Sequence, residues 1–347
     1  MISTEKESLY NNLEKMSFLE IINSINREDQ KVSIAVKKSI NKISLLSEKI
    51  FQKIKNGGRL FYIGSGTSGR IGILDASECP PTFGVKENIV IGIIAGGDKA
   101  IRNAIESAED NTESGWEDLK KYNINKKDVV VGISASGNTP YVLGALRKCN
   151  AHNIVTGSIT CNEVNPISKI SNHDIRIILG PEFLTGSTRM KAGTAQKMCL
   201  NMITTSVFIK LGHVLNNKMI DMKINNQKLK QRALNLILEN TSLNKINAEK
   251  MLDKYKSARI VIENEKKNMI NKKKLQSGLK IIAFIFPFIF IGPSLFLRGS
   301  MSGFEDVDSK NLIFLISGGI TMLFALLGLF VGLKRILDAI FDKNSNE

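Results

Sequence analysis

The sequence predicts an α/β protein, a three-layer sandwich built on a five-stranded, mostly parallel sheet, with helices added at both ends. Three observations carry this. Between residues 56 and 215, short unbroken apolar runs alternate with helical intervals, which is how strands covered on both faces of a parallel sheet read. Before residue 55 the apolar positions recur at helical spacing. Beyond residue 277 two predominantly apolar stretches run about twenty residues each, enough as helix to cross ~30 Å of hydrocarbon.

Taken in order, Leu13, Met16, Leu19, Ile22 and Ile25, then Val32, Val36, Ile40, Ile43, Leu46 and Ile50, predict two or three helices over 1–55, closed by Gly57-Gly58. Strands follow at 59–64 (RLFYIG), 88–92 (NIVIG), 128–133 (DVVVGI), 154–159 (IVTGSI) and 175–179 (IRIIL). A long helix is expected from Thr188 to about Leu211, short charged helices over 225–268, and no strand after residue 180. The divisions are N-terminal helices at 1–55, an α/β domain at 56–215, a small helical subdomain at 216–270, and a two-helix membrane hairpin at 271–347 with spans near 278–297 and 312–333. The linker between the spans is acidic on balance, whereas Lys272, Lys273, Lys274 and Lys280 flank one side and Lys334, Arg335 and Lys343 the other. The positive-inside rule then puts both flanks, and the whole N-terminal part, in the cytoplasm, anchored in the inner membrane.

With 347 residues, 43% apolar and 23% charged, the chain carries too much apolar material to stay disordered. Cys79, Cys149, Cys161 and Cys199 are scattered without CxxC or histidine at ligand spacing. That excludes a disulfide scaffold, fits a reducing compartment, and predicts no metal site. Residues 1–28 hold no uninterrupted apolar core, so no signal peptide is expected. The net charge of +15 invites nucleic acid, but it is uneven: +3 over 1–190, +12 over 191–274 and zero over 275–347. An excess concentrated just before the first apolar span reads as a flank facing anionic lipid, with no nucleic-acid partner.

Two strand–loop–helix units look alike. Residues 61–70 read FYIGSGTSGR and residues 131–140 read VGISASGNTP. In each, small hydroxyl residues fill a tight turn that opens a helix, where backbone N–H groups and hydroxyls suit a phosphate. The first also matches G-x-G-x-x-G, but the acidic residue that a dinucleotide would need about twenty positions on is missing. The pattern occurring twice favours a sugar phosphate held between two loops, through Ser65, Gly66, Thr67 and Ser68 on one and Ser134, Ser136, Gly137 and Thr139 on the other. Two acidic features accompany them. Glu78 precedes the rigid Pro80-Pro81 pair, and Glu106, Glu109 and Asp110 cluster on what is expected to be a helix. Paired carboxylates serve acid–base chemistry if the loops aim substrate at them.

Residues 180–197, GPEFLTGSTRMKAGTAQK, closely resemble the signature of the N-acetylmuramic acid 6-phosphate etherase family, which is related to the glucokinase regulatory protein and built on the sugar isomerase (SIS) fold. Residues 64–70, 74–83 (LDASECPPTF), 94–97 (IAGG), 106–110 and 139–143 (TPYVL) also resemble family blocks, in family order, so the likeness covers roughly residues 10–260. It implies a cytoplasmic, homodimeric lyase without cofactor that cleaves the D-lactyl ether of N-acetylmuramate 6-phosphate in amino sugar recycling. The family's proton donor falls on Glu78, its second catalytic carboxylate on Glu109, and further substrate contacts on Glu182, Ser187 and Lys191. Two departures stand out: Asn138 replaces an arginine common among relatives, and 261–267 (VIENEKK) is polar where the family's last helix is apolar.

Other functions on this fold remain as alternatives. A non-catalytic sugar-phosphate regulator of the glucokinase regulatory type needs the hydroxyl loops but no carboxylate pair. An aldose–ketose isomerase would release no lactate. A transcriptional regulator would need a helix-turn-helix segment ahead of the sugar domain, and none is present.

Overall fold

The computed structural model describes residues 3–105, 107–300 and 309–341. The chain divides into two compact units, 1–233 and 234–347.

The first unit opens with α1 (Phe18–Lys37), started by a capping box: Ser17 Oγ accepts from Glu20 N, and the Glu20 carboxylate accepts from Ser17 N at 2.7 Å. Then come α2 (Ile40–Lys55), β1 (Leu60–Gly64), α3 (Gly66–Phe83), β2 (Val90–Ile94), α4 (Lys99–Arg102), α5 (Ser114–Lys120), β3 (Val129–Ser134), α6 (Pro140–Ala151), β4 (Val155–Thr160), α7 (Pro166–Ile170), β5 (His173–Arg176) and α8 (Lys191–Lys210). The five strands pair in the order β2-β1-β3-β4-β5, every pair parallel. Burial explains the unbroken apolar runs. Leu60, Tyr62, Val129 and Val131 face a core shared with α1, α2, α3 and α8, while Phe61, Ile63 and Val130 face a second core under α5, α6 and α7. At the amino edge, Arg59 grips the buried Asp128 through Nε and Nη2 at 3.1 and 2.8 Å, holding β1 and β3 in register.

Three local expectations change. The fifth strand begins earlier, at His173, because Asn172 supplies the entry through a 2.8 Å bond from Thr156 N to its Oδ1. Among the described residues, 105 and 107–110 are not helical: α4 stops at Arg102 and Ser107 takes φ +62°. With only Ile105 and Ala108 apolar in that stretch, there was no stripe for a helix to bury. Finally, a small antiparallel hairpin, β6 (Val214–Leu215) and β7 (Lys218–Met219), turns at Asn216 with φ +55°. Two-residue strands are too short to leave a periodic signal.

The second unit takes in the end of α9 (Gln227–Asn240), then α10 (Lys245–Tyr255), α11 (Ala258–Ser300) and α12 (Ser309–Phe341). The boundary expected near residue 270 falls inside α11, which runs through it without a break. Both long helices contain a segment apolar enough to cross a membrane, 273–300 and 309–340, and only 11% of each segment's most apolar window is buried. Glycines form their shared seam: a Cβ on Gly292 would meet Met322 Cγ at 2.7 Å, and one on Gly318 would meet Phe296 N at 2.5 Å. Phe284, Phe286, Phe290, Leu323 and Phe330 point outward and are exposed.

Candidate active site

In a parallel sheet of order 2-1-3-4-5, the chain leaves β1 and β3 on opposite sides, and ligands collect at the carboxyl ends between them. The two hydroxyl-rich loops follow those two strands, so the fold sets them side by side.

The loop after β1 is open. Ser65 is the N-cap of α3, but its side chain makes no capping bond, which leaves the first N–H groups of an 18-residue helix without helical partners. Gly66 has φ +50°, and nothing lies within 4 Å of where a Cβ would stand, so the turn faces empty space. Ser65 Oγ instead donates to Glu109 Oε2 at 2.6 Å. Glu109 is exposed, and its own carbonyl accepts from Tyr141 N at 2.9 Å near the start of α6. The carboxylate therefore stands between the two loops, brought there by the turn that replaces the expected helix. Thr67 lies against α8, where a Cβ on Gly193 would approach its Cγ2 to 3.3 Å. Ser68 is buried and donates to Gln196 Oε1 at 3.0 Å.

The loop after β3 is closed on itself. Ser134 Oγ accepts from Gly137 N at 3.0 Å and shares a 2.8 Å bond with Thr139 Oγ1, while Ser136 Oγ accepts from Asn138 N at 3.2 Å. Gly137 has φ +73°, and a Cβ there would lie 2.3 Å from Asn165 Cγ. Only glycine fits.

The remaining residues singled out from sequence separate into two groups. Glu182 is buried and accepts from the backbone N–H groups of Lys191 and Ala192 at 3.0 and 2.9 Å, capping α8. Burial pushes its carboxyl above the usual range, with those two amides and the Lys191 charge opposing the rise. Lys191 Nζ is equally buried and bonds Glu28 Oε2 at 2.6 Å and Leu179 O at 3.2 Å. Burial would raise the Glu28 carboxyl, but the bonds from Lys191, Lys31 and Tyr10 outweigh it and bring it down to about 2. Both side chains expected to touch substrate thus bond other groups of the protein. Ser187 sits half-buried in the turn before α8, its N–H bonded to Leu184 O at 3.0 Å. Glu78 is exposed on α3, twelve residues beyond Gly66 and so about 18 Å along the axis at 1.5 Å per residue. Within one chain it is remote from Glu109. Glu106 lies outside the described residues. Among the described residues no group of three or more His, Cys, Asp or Glu side chains is placed to hold a metal.

Sequence reasoning passed over Asn162 and Asn165, both buried, which brace the second loop from behind. Their only signal was position, just past the end of β4, where an asparagine at a strand terminus commonly bonds local backbone.

A parallel sheet with paired hydroxyl loops at its switch point defines a sugar-phosphate-binding SIS protein. Residues 42–150 match the glucokinase regulatory protein N-terminal SIS domain and residues 104–206 the SIS domain. N-acetylmuramic acid 6-phosphate etherases from Christiangramia forsetii, Bacteroides fragilis and Porphyromonas gingivalis are 55, 52 and 51% identical over 263, 260 and 263 residues. Those alignments cover 96, 92 and 96% of the relatives and 76, 75 and 76% of this chain. The chain belongs to the N-acetylmuramic acid 6-phosphate etherase family. Its last quarter is a different matter: residues 268–343 match a family of unknown function, DUF6095.

Proposed function

We propose that the chain is a lyase that cleaves the D-lactyl ether of N-acetylmuramate 6-phosphate to N-acetylglucosamine 6-phosphate and D-lactate, in amino sugar recycling. The observation that carries this reading beyond family membership is the 2.6 Å bond from Ser65 to Glu109, which stations a carboxylate at the mouth of the open phosphate loop. The phosphate sits on the uncapped start of α3 with Ser65, Gly66, Thr67 and the outward groups of Ser136, Gly137 and Thr139 around it. In the open-chain sugar the C2 proton is acidified by the C1 aldehyde. Glu109 removes it, the C3–oxygen bond breaks, and the departing lactyl oxygen takes a proton from Glu78. Water then adds across the C2–C3 double bond, its hydroxyl to C3 and its proton to C2. Glu182, Ser68 and Lys191 support the loops through α8 rather than by touching substrate.

The separation of Glu78 from Glu109 requires the acid to come from a second copy. A homodimer is favoured by Leu19, Ile22, Leu74 and Met202, large apolar side chains left exposed on α1, α3 and α8. The two apolar helices form an anchor in the cytoplasmic membrane, with the catalytic unit on the cytoplasmic side. Their outward phenylalanines and leucines support this, since a soluble core helix would bury them.

Lactate release from N-acetylmuramate 6-phosphate tests the reaction. Glu78→Ala and Glu109→Ala should each lose it, and an exchanged mixture of the two should recover about a quarter of wild-type activity, because one site of each heterodimer is intact. No lactate from wild type overturns the activity, and no recovery on mixing overturns the shared site. Fractionation of the full chain should find it in the carbonate-washed membrane pellet, and a wholly soluble protein would refute the anchor.

A further inference from the structure

Behind the loop that follows β3 lies a side chain whose hydrogen bonds bridge that loop and the start of the chain. Asn162 is buried, 2% exposed. Its Oδ1 accepts from Ser3 Oγ at 2.6 Å and Thr4 N at 3.2 Å. Its Nδ2 lies within bonding distance of Thr4 Oγ1 at 3.0 Å, Ala135 O at 3.2 Å and Ser136 O at 3.1 Å. One amide therefore ties the first turn of the chain, 158 residues before it, to two successive carbonyls of the loop after β3.

We propose that Asn162, held by the strap Ser3–Thr4, is a positioning residue that aims the N–H of Ser136 into the sugar-phosphate site. The argument is peptide geometry. No cis peptide occurs among the described residues, and in a planar trans peptide the C=O and N–H point in opposite directions. Ala135 O is drawn toward the β4 side by both Asn162 Nδ2 and Cys161 N, the latter at 2.9 Å. The N–H of the same peptide unit, that of Ser136, must then point toward the β1 side, where Ser65 and Gly66 lie. That N–H donates to no described residue, whereas the next one, Gly137 N, is already taken by Ser134 Oγ. A donor so fixed at a site built for phosphate is a ready anion contact. It also compensates for the neutral Asn138 by supplying a dipole where the loop has no charge.

This rests on the sugar-phosphate reading above, so the test has two arms. The first measures kcat and KM for N-acetylmuramate 6-phosphate at a temperature well below unfolding. The second measures the Kd of inorganic phosphate by calorimetry, which needs no turnover. For Asn162→Ala, KM and the phosphate Kd should both rise about tenfold, the loss of one hydrogen bond to a charged group, with kcat within about threefold of wild type. If that variant does not fold, the Ser3→Ala/Thr4→Val double variant leaves Asn162 in place and should raise both constants about threefold. A fall in Tm with KM and Kd unchanged would make Asn162 merely structural and overturn the proposal, as would a wild type that binds no phosphate. A wild type that binds phosphate but releases no lactate would overturn the etherase reading and leave Asn162 to be judged by the Kd arm alone.

Discussion

The loops after β1 and β3 have nearly the same composition and open the same kind of helix, yet they are built in opposite ways. The first is left unfinished. Its glycine faces empty space, its serine serves no cap, and its one strong side-chain bond reaches out to Glu109. The second is finished internally, with Ser134, Ser136 and Thr139 satisfying one another and the turn. Asn162 and Asn165 brace it from behind, and Ala192 of α8 packs against Ala135. The difference suggests a division of labour: the first loop leaves its helix-start donors and Ser65 open, while the second holds its groups, the Ser136 N–H among them, on a rigid wall. Substitutions of the groups that close the wall on itself should cost stability first, and substitutions in the open loop should cost function.

The largest effect should come from the pair that fixes α8 behind the wall. Lys191→Met leaves the Glu28 carboxylate buried without its main partner, and stripping one member from a buried pair costs about 3–5 kcal/mol. The same pair has a pH signature. Because the Glu28 carboxyl is depressed to about 2 in the folded protein, its contribution is complete above the unfolded value near 4.5 and is lost as pH falls toward 2. Thermal melts of wild type between pH 6 and pH 2 should therefore steepen below pH 4.5, and Glu28→Gln should be less stable at neutral pH yet flatter over that window. A parallel shift of the two curves would refute the assignment.

Gly137→Ala comes next. Its φ of +73° costs an L-residue about 1–2 kcal/mol, and the methyl would have to displace Asn165, adding about 1–3 kcal/mol. A matched change in the open loop, Gly66→Ala, meets the first cost but not the second, since its φ is also positive while the space beside it is empty. Denaturant titration should place Gly137→Ala at least about 1 kcal/mol below Gly66→Ala. Kinetics should show the reverse emphasis for Gly66→Ala, a raised KM from a methyl projecting toward the phosphate. Equal stability losses would mean that the two loops are not built differently.

How far this contrast was legible beforehand depends on the range of the interactions involved. The strands at β1 and β3 and their loops declared themselves locally, because continuous apolar runs and Ser/Gly turns need no distant partner to be recognised. The hydroxyls were found but not sorted, because Ser65 reaching Glu109 and Ser134 reaching Thr139 differ only in what the fold brings near. Glu182 and Lys191 sat inside a long signature and were expected to touch substrate, yet their partners, Glu28 and the first amides of α8, are supplied by chain folding. The turn carrying Glu109 was misjudged as helix because a cluster of acids without an apolar stripe says little about backbone. Asn162 was invisible for the same reason as Glu28, its partner being 158 residues away.

The smallest structural effect sharpens the contrast most. Ser65 is half-exposed and Glu109 exposed, so their 2.6 Å bond lies in water-accessible space and adds little to folding; Ser65→Ala should move stability by no more than about 0.5 kcal/mol. Its consequence should be kinetic. Without the hydroxyl, Glu109 is held only through its main-chain carbonyl, which accepts from Tyr141 N, and its carboxylate is free to turn away from the C2 proton that the proposed mechanism has it remove. Geometry that is loosened rather than removed lowers kcat, here by about tenfold, short of the roughly 10²–10⁴-fold expected for deleting a general base. Ser65→Thr restores an Oγ at the same place and should recover most of the rate, while Ser65→Ala with unchanged kcat would show that Glu109 needs no such guide. Ser134→Ala, the same atom removed from the closed loop, should do the converse: it leaves Gly137 N and Thr139 Oγ1 without their shared partner and lowers Tm before it touches kcat.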